Sequence, residues 1–339
     1  MKATISDVAR LAGVSTATVS YVINGKKTIS EQTREKVFRA IEALNYAPDS
    51  TARSFRTGKK HVAAMVVPFL GNDILIALAE AAEHSFSEKG YHLLISSSGN
   101  SAEKELKNLK VLCNGSVDGI MISSCCSHAD QLKEIIPPEF PVILFDRILP
   151  GCTYDTVEIS DETSAHDAVS YLLNKGHKKI GFIEGFRHLS SIQHRLNGYQ
   201  SAFREYPIEE WKQYLFFSSS YTEDPGEPAY QFLKSGCTAL IFATPMLFWK
   251  AKISLERRSI SLSSIETAVV TDSMKSKFLL QGSSFFQWPL KEEGRLAALR
   301  LIRQIEEGPL SPEHIILHST FVPREQTEYR LDHNWYFDE

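Results

Sequence analysis

The chain has 339 residues, a formal charge of −4 and five cysteines. It is too long for one small domain, and an odd cysteine count in so long a chain argues for a reducing compartment and against a disulfide-stapled fold. Without an apolar stretch of about 20 residues or a secretory signal, the expectation is a cytoplasmic protein with no membrane partner. The charge is unevenly spread: residues 1–60 hold eleven Lys/Arg against five Asp/Glu, +6, which leaves −10 for residues 61–339. A basic head on an acidic body fits a phosphate-binding module joined to something that is not one.

Thr4 followed by Asp7 predicts a helix start with an acidic third position. Val8, Leu11 and Ala12 form its apolar stripe, and Gly13 ends it. Ser15 caps a second helix through Thr18, Val19, Val22 and Ile23, closed by Asn24-Gly25. A third helix, capped by Ser30, runs from Thr33 to about Leu44 with Val37, Phe38, Ile41 and Leu44 as its stripe. Two short helices around a Gly-containing turn are a helix-turn-helix. A small helical domain with a solvated basic face is the bland alternative; caps, turn chemistry and charge converge instead on DNA binding.

Beyond the head, strand-like and helix-like segments alternate. Strands are predicted at 62–67, 93–96, 117–122, 142–145, 156–159, 179–183, 215–218, 239–243 and 268–271, with final short strands at 315–317 and 320–322. Helices are predicted at 74–89, 102–112, 131–136, 163–175, 191–206, 227–234 and 290–306. This alternation predicts parallel sheets covered by helices on both faces, in two lobes.

Residues 3–60 resemble the headpiece of the LacI/GalR family of bacterial transcriptional regulators. The resemblance rests on Ile5-Ser6-Asp7-Val8-Ala9, Ala12-Gly13-Val14-Ser15, Thr18-Val19-Ser20, Val22-Ile23-Asn24-Gly25, 30–37 and Leu44-Asn45-Tyr46-Ala47-Pro48. It extends more weakly to about residue 327 through Val117-Asp118-Gly119-Ile120, 141–147, 176–183 and Arg195-Leu196-Asn197-Gly198-Tyr199. It implies an all-α helix-turn-helix headpiece (1–47), a hinge helix and linker (48–60), and an α/β two-lobed periplasmic-binding-protein-like domain with parallel sheets (61–327). Lobe 1 is expected at about 61–160 plus 290–323, lobe 2 at about 161–289, and a carboxy-terminal tail at 328–339.

For the head, the second helix is expected in the major groove. Thr16 and Ala17 are placed at base edges, with Tyr21 one turn on. Ala17 offers a methyl suited to thymine. Tyr21 stands where relatives often carry Arg, so the operator is expected to differ from the common family consensus there. Thr4, Ser6, Ser15, Thr18, Ser20, Asn24 and Thr33 are expected to hold phosphates, set register or cap helices. The resemblance makes 48–60 a hinge that folds on DNA, with Phe55 as a minor-groove wedge and Arg53 beside phosphates. For the body it implies a small-molecule effector between the lobes, sugar-like, met by Asp146, Arg195, Asp272 and Gln287.

The chain departs from the family at Thr244-Pro245, where a polar pair is usual, and at Phe248 and Trp249, where small residues are usual. That keeps a protein co-regulator, or no effector, as the alternative; a sugar-binding protein with an incidental head is the remote one. No catalytic constellation, cofactor motif or metal spacing is present, so an enzyme is not expected. The overall expectation is a homodimeric repressor on a palindromic operator, its affinity reset by a sugar-like effector.

Overall fold

The structure, a computed structural model, describes residues 3–24, 29–46, 58–71, 73–187, 189–206, 208, 210–219, 223–270 and 282–326. Two compact units divide the chain, Met1–Lys60 and His61–Glu339. Most of the expected hinge (including Arg53 and Phe55), Gly25, Asp272 and the tail 328–339 lie outside the described residues.

In the first unit, α1 (Ile5–Ala12), α2 (Thr16–Asn24) and α3 (Glu31–Ala43) surround a core of Val8, Ala9, Ala12, Val19, Val22, Val37 and Ala40. Two expected core residues are instead on the surface: Leu11 is 56% exposed and Phe38 47%. Each helical step turns about 100°, which swings Leu11 away from the face shared by Val8 and Ala12. The same turn carries Phe38 off the face of Val37 and Ala40.

In the second unit, β1 (Val62–Val67), β2 (His92–Ser97), β3 (Gly119–Ile122), β4 (Val142–Phe145), β5 (Asp155–Ser160) and β11 (His314–His318) form one parallel sheet, in the order β11-β5-β4-β3-β1-β2. The other sheet takes β6 (Ile180–Glu184), β7 (Leu215–Phe217), β8 (Ala239–Phe242), β9 (Glu266–Val270), β10 (Ser284–Gln287) and β12 (Thr320–Val322), in the order β12-β10-β9-β8-β6-β7. The helices between them are α4 (Asp73–Glu88), α5 (Ala102–Cys113), α6 (Asp130–Lys133), α7 (Glu162–Asn174), α8 (Ser190–Glu205), α9 (Gly226–Lys234), α10 (Pro245–Glu256) and α11 (Leu290–Glu307).

Side chains alternate across each strand, so both faces of each sheet are apolar. In the first sheet, Ala64, Val66, Ile120, Ile122 and Leu144 pack with Leu109 and Leu112 of α5. Ala63, Met65, Met121, Ile143 and Phe145 belong to the core that includes Leu78 of α4 and Leu301 of α11. A methyl group at Gly294 would overlap the Leu78 carbonyl, so glycine is what lets α11 approach α4 so closely.

The chain crosses between the sheets three times: after β5, between β10 and α11, and between β11 and β12. The last crossing corrects the lobe assignment. Residues 320–323 were expected in lobe 1, yet β12 pairs antiparallel with β10, Phe285 opposite Val322 and Gln287 opposite Thr320. Strand β10 was not predicted, because its apolar content is only Phe285-Phe286. Parallel pairing with β9 and the returning β12 fix it.

Candidate DNA-reading helix and interlobe site

The first helix begins with a reciprocal cap. Asp7 N–H donates to Thr4 Oγ1 at 3.4 Å, and Thr4 N–H donates back to Asp7 Oδ2 at 2.9 Å. The hydrogen bonds from Thr4, joined by the nearby Arg10 guanidinium, hold the Asp7 carboxyl below its usual range. A carboxyl lowered on folding stabilises above its unfolded range and loses that contribution as pH falls through the folded value. Separately, Thr4→Ala removes the N-cap side chain, which is expected to cost the head about 1 kcal/mol. Amide exchange over residues 5–12 of the full chain should accelerate about fivefold, and the acid-induced loss of protection should flatten.

Gly13, at φ +67°, supplies the left-handed turn between α1 and α2. Ser15 then caps α2, accepting from Thr18 N–H at 3.1 Å, with its hydroxyl 2.9 Å from that of Thr18. Ser30 caps α3 in the same way, accepting from Thr33 N–H at 3.4 Å, the two hydroxyls 2.8 Å apart. Of the residues expected to touch phosphates, Thr4, Ser15, Thr18 and Thr33 thus use their hydroxyls within the head. Ser6 is exposed and Ser20 half-buried. Thr16 and Ala17 are exposed on the first turn of α2, and Tyr21 follows Ala17 by four residues, half-buried on the same face. The side chain of Asn24 lies outside the described residues.

In the body, the carboxyl ends of β1–β5 and of β6, β8 and β9 meet the crossovers, which is where open parallel sheets gather ligand-binding loops. Asp146, just past β4, has a left-handed backbone (φ +61°). Its N–H donates to Glu293 Oε1 at 3.0 Å and its carboxylate accepts from Ser123 Oγ at 2.7 Å. Arg147 lies beside it, Nε 3.8 Å from Asp146 Oδ2, and donates to Asn100 Oδ1 at 3.3 Å. Burial first, and the Asp146 charge second, push the Glu293 carboxyl well above its usual range.

Arg195 is not presented to an open cleft. Its side chain is 3% exposed and lies between two fully buried carboxylates. Nη1 donates to Asp161 Oδ2 at 2.5 Å and Nε to Glu184 Oε2 at 3.1 Å. Tyr199 OH also donates to Glu184, at 2.6 Å. Asp161 precedes α7 at its cap position but gives the helix no side-chain bond. Its Oδ1 accepts instead from Trp288 Nε1 at 2.6 Å and Ser319 Oγ at 2.7 Å. One carboxylate on the first crossing therefore holds residues of the other two.

Gln287 is exposed at the end of β10, apart from this network. Sequence reasoning missed Asp161, Glu184, Tyr199 and Glu293. The available signal was an acid, Glu184, closing the otherwise apolar strand 180–184.

The departures at 244–249 are structural. Thr244 caps α10, accepting from Leu247 N–H at 3.2 Å, with Pro245 at the first turn. Phe248 is buried and Trp249 packs edge-on against it at 5.5 Å. Cys126 lies in the core, and burial pushes its thiol to about 12. Among the described residues no cluster of His, Cys, Asp and Glu is arranged to hold a metal, and no helix is long and apolar enough to cross a membrane.

Residues 4–49 match the family model described as bacterial regulatory proteins, lacI family. Residues 61–324 match that of periplasmic binding proteins and the sugar binding domain of the LacI family. The ribose operon repressor of Haemophilus influenzae is 28% identical over 95% of this chain and 98% of its own. Among solved structures, a lac repressor dimer bound to operator and the anti-inducer ONPF superposes with a TM-score of 0.82 at 19% identity, covering 96% of this chain and 99% of that one. A CelR–cellobiose complex superposes with a TM-score of 0.68 at 22% identity, covering 96% and 100%.

Proposed function

Because the chain belongs to the lacI family of bacterial regulatory proteins, and so is a DNA-binding regulator of transcription, not an enzyme, we propose that it is a cytoplasmic repressor that binds a palindromic operator as a homodimer. The observation that carries the reading is the exposed first turn of α2. Thr16 and Ala17 stand free of the head's own packing, with Tyr21 on the same face. This face enters the major groove, and Ser6, Ser20 and Asn24 work at the phosphates. Residues 48–60 serve as the hinge, with Phe55 as the wedge and Arg53 at the backbone.

The second copy covers an apolar hollow of about 320 Å³ on the first lobe, lined by Leu70, Ile76 and Ile95 among others. Two heads so held address two half-sites about one helical turn apart. A sugar or sugar derivative is the effector, met by Asp146, Gln287 and Asp272; the sugar-binding family domain supports this.

Selection of binding sites from random duplexes by the full chain tests the reading. The expected product is a palindrome that differs from the common family consensus at the base pair facing Tyr21, because a phenol cannot make the bidentate guanine contact of Arg. Recovery of that consensus unchanged sinks the assignment of Tyr21. Recovery of no palindrome sinks the operator reading altogether.

A further inference from the structure

We propose that a second copy of this chain pairs with the open edge of β11, antiparallel and two-fold symmetric about Ile316. This contact goes beyond the homodimer proposed above and does not depend on it. Strand β11 ends the order β11-β5-β4-β3-β1-β2, so among the described residues only β5 borders it. The hollow assigned to the homodimer includes Leu93 and Ile95 of β2, at the opposite end of that sheet. The two surfaces are five strand spacings apart, roughly 24 Å, so one leaves the other clear.

The hydrogen-bond phase of β11 fixes which groups face outward. Thr156 N–H donates to the Glu313 carbonyl at 2.9 Å, and Ser319 N–H to the Ser160 carbonyl at 3.3 Å. Residues bonded to a given neighbour alternate along a parallel ladder. Ile315 and Leu317 therefore bond to β5, and the N–H and C=O of His314, Ile316 and His318 point to the open edge. Among the described residues, no other backbone group meets them. The same three residues carry their side chains on the exposed face, Ile316 at 46%, while Ile315 and Leu317 pack against the core. Edge strands are commonly blunted by lysine, proline or a bulge. Residues 314–318 have no lysine or proline, and their register with β5 is unbroken.

The sequence of the edge says what fits it. His-Ile-Ile-Leu-His reads nearly the same in both directions. An antiparallel copy centred on Ile316 sets His314 against His318, Ile315 against Leu317, and Ile316 against itself. Each pair of outward residues then exchanges two N–H···O bonds. A shift of one residue breaks the match of both backbone phase and face. Such a contact is isologous, the same patch on both copies. Five residues bury far less than the roughly 1,200 Å² of a stable interface, so the association is weak and concentration-dependent. Where each copy is also half of the proposed homodimer, the contact joins dimers, and one assembly then carries four heads.

Sedimentation velocity of the full chain from roughly 1 to 200 µM, where small transient contacts form, tests this. Wild type is expected to approach twice its low-concentration mass at the top of the range. Ile316→Lys, at an exposed site, is expected to keep the low-concentration mass throughout. That mass reports separately on the homodimer: two chains support it, and one chain removes it while leaving the β11 contact standing. Charge tests the register. His314→Lys with His318→Glu places opposite charges across each pair and is expected to associate at least as tightly as wild type. His314→Lys with His318→Lys places like charges there and is expected not to associate. The shared substitution keeps a cation beside Glu158, which lies 2.7 Å from His314 Nε2. A wild-type mass independent of concentration, or association unaffected by Ile316→Lys, overturns the proposal. So does equal association of the two charge variants. Each of these results leaves the edge to another extended segment, such as residues 328–339 of the same chain.

Discussion

Replacing Asp161 by alanine is expected to lower the stability of the body by about 3–5 kcal/mol, because removing one partner of a buried charge network strands the other. The midpoint of thermal unfolding of the full chain should fall by roughly 6–20 °C. The size follows from what the carboxylate does at 0% exposure. It neutralises Arg195 and accepts from Trp288 and Ser319, so its loss leaves Arg195 Nη1 and Trp288 Nε1 short of an acceptor, while Ser319 keeps Ser164 Oγ at 2.9 Å. Those two donors belong to the second lobe and to the second crossing, so the damage is concentrated where the lobes are joined. Asp161→Asn should cost less, since the amide oxygen can still accept from Trp288 or Ser319 while the charge on Arg195 loses one counter-ion. A loss of under 1 kcal/mol for the alanine variant would mean that packing, not this carboxylate, holds the three crossings together.

Ala17→Glu is expected to weaken specific operator binding severely without unfolding the head. Ala17 is exposed at the first turn of α2. A glutamate there is a good helix former and suits the positive end of the helix dipole. In the groove the same carboxylate faces phosphates and loses the methyl contact. A misplaced contact costs about 1–3 kcal/mol per half-site. In the proposed dimer the cost falls on both half-sites, so affinity should drop roughly 30-fold to 10⁴-fold, read by fluorescence anisotropy on the selected palindrome at fixed salt. Amide protection in residues 5–12 should stay at the wild-type level. Binding within threefold of wild type would place the reading surface elsewhere than this turn of α2.

The head was legible because its boundaries are written in short-range chemistry. Thr4, Asp7, Gly13, Ser15 and Ser30 each act within four residues of themselves, and the structure has them capping or turning as their spacing implies. The sheets were legible for a related reason: a strand buried on both faces is an apolar run, as at 62–67 and 180–183. Errors arose where long-range partners decide. Leu11 and Phe38 are apolar at near-helical spacing, but three small helices have only enough inner surface for one face each. The pair Phe285-Phe286 becomes a strand through pairing with β9 and with β12, and β12 lies beyond α11 and β11 in the chain. Arg195 was placed by family position as a ligand contact, with salt bridges between the lobes as the alternative. Its actual partners, Asp161 and Glu184, lie 34 and 11 residues away, and nothing local announces the pairing. Asp161 was hidden for another reason: an aspartate just before a helix looks like a cap, and here its carboxylate turns away from the helix.

Strands β11 and β12 are separated by Ser319 alone, yet each is the edge strand of a different sheet. During synthesis, both sheets therefore lack their last strand until residues 314–322 have cleared the ribosome. A nascent chain that stops short of them leaves β5 in one sheet and β10 in the other exposed on the side that β11 and β12 later cover, ready to pair with another chain. The lobes cannot mature one after the other in the order of translation, as the domains of a beads-on-a-string protein do. Their completion is deferred to a single late event, in which one short segment adds the last strand to both.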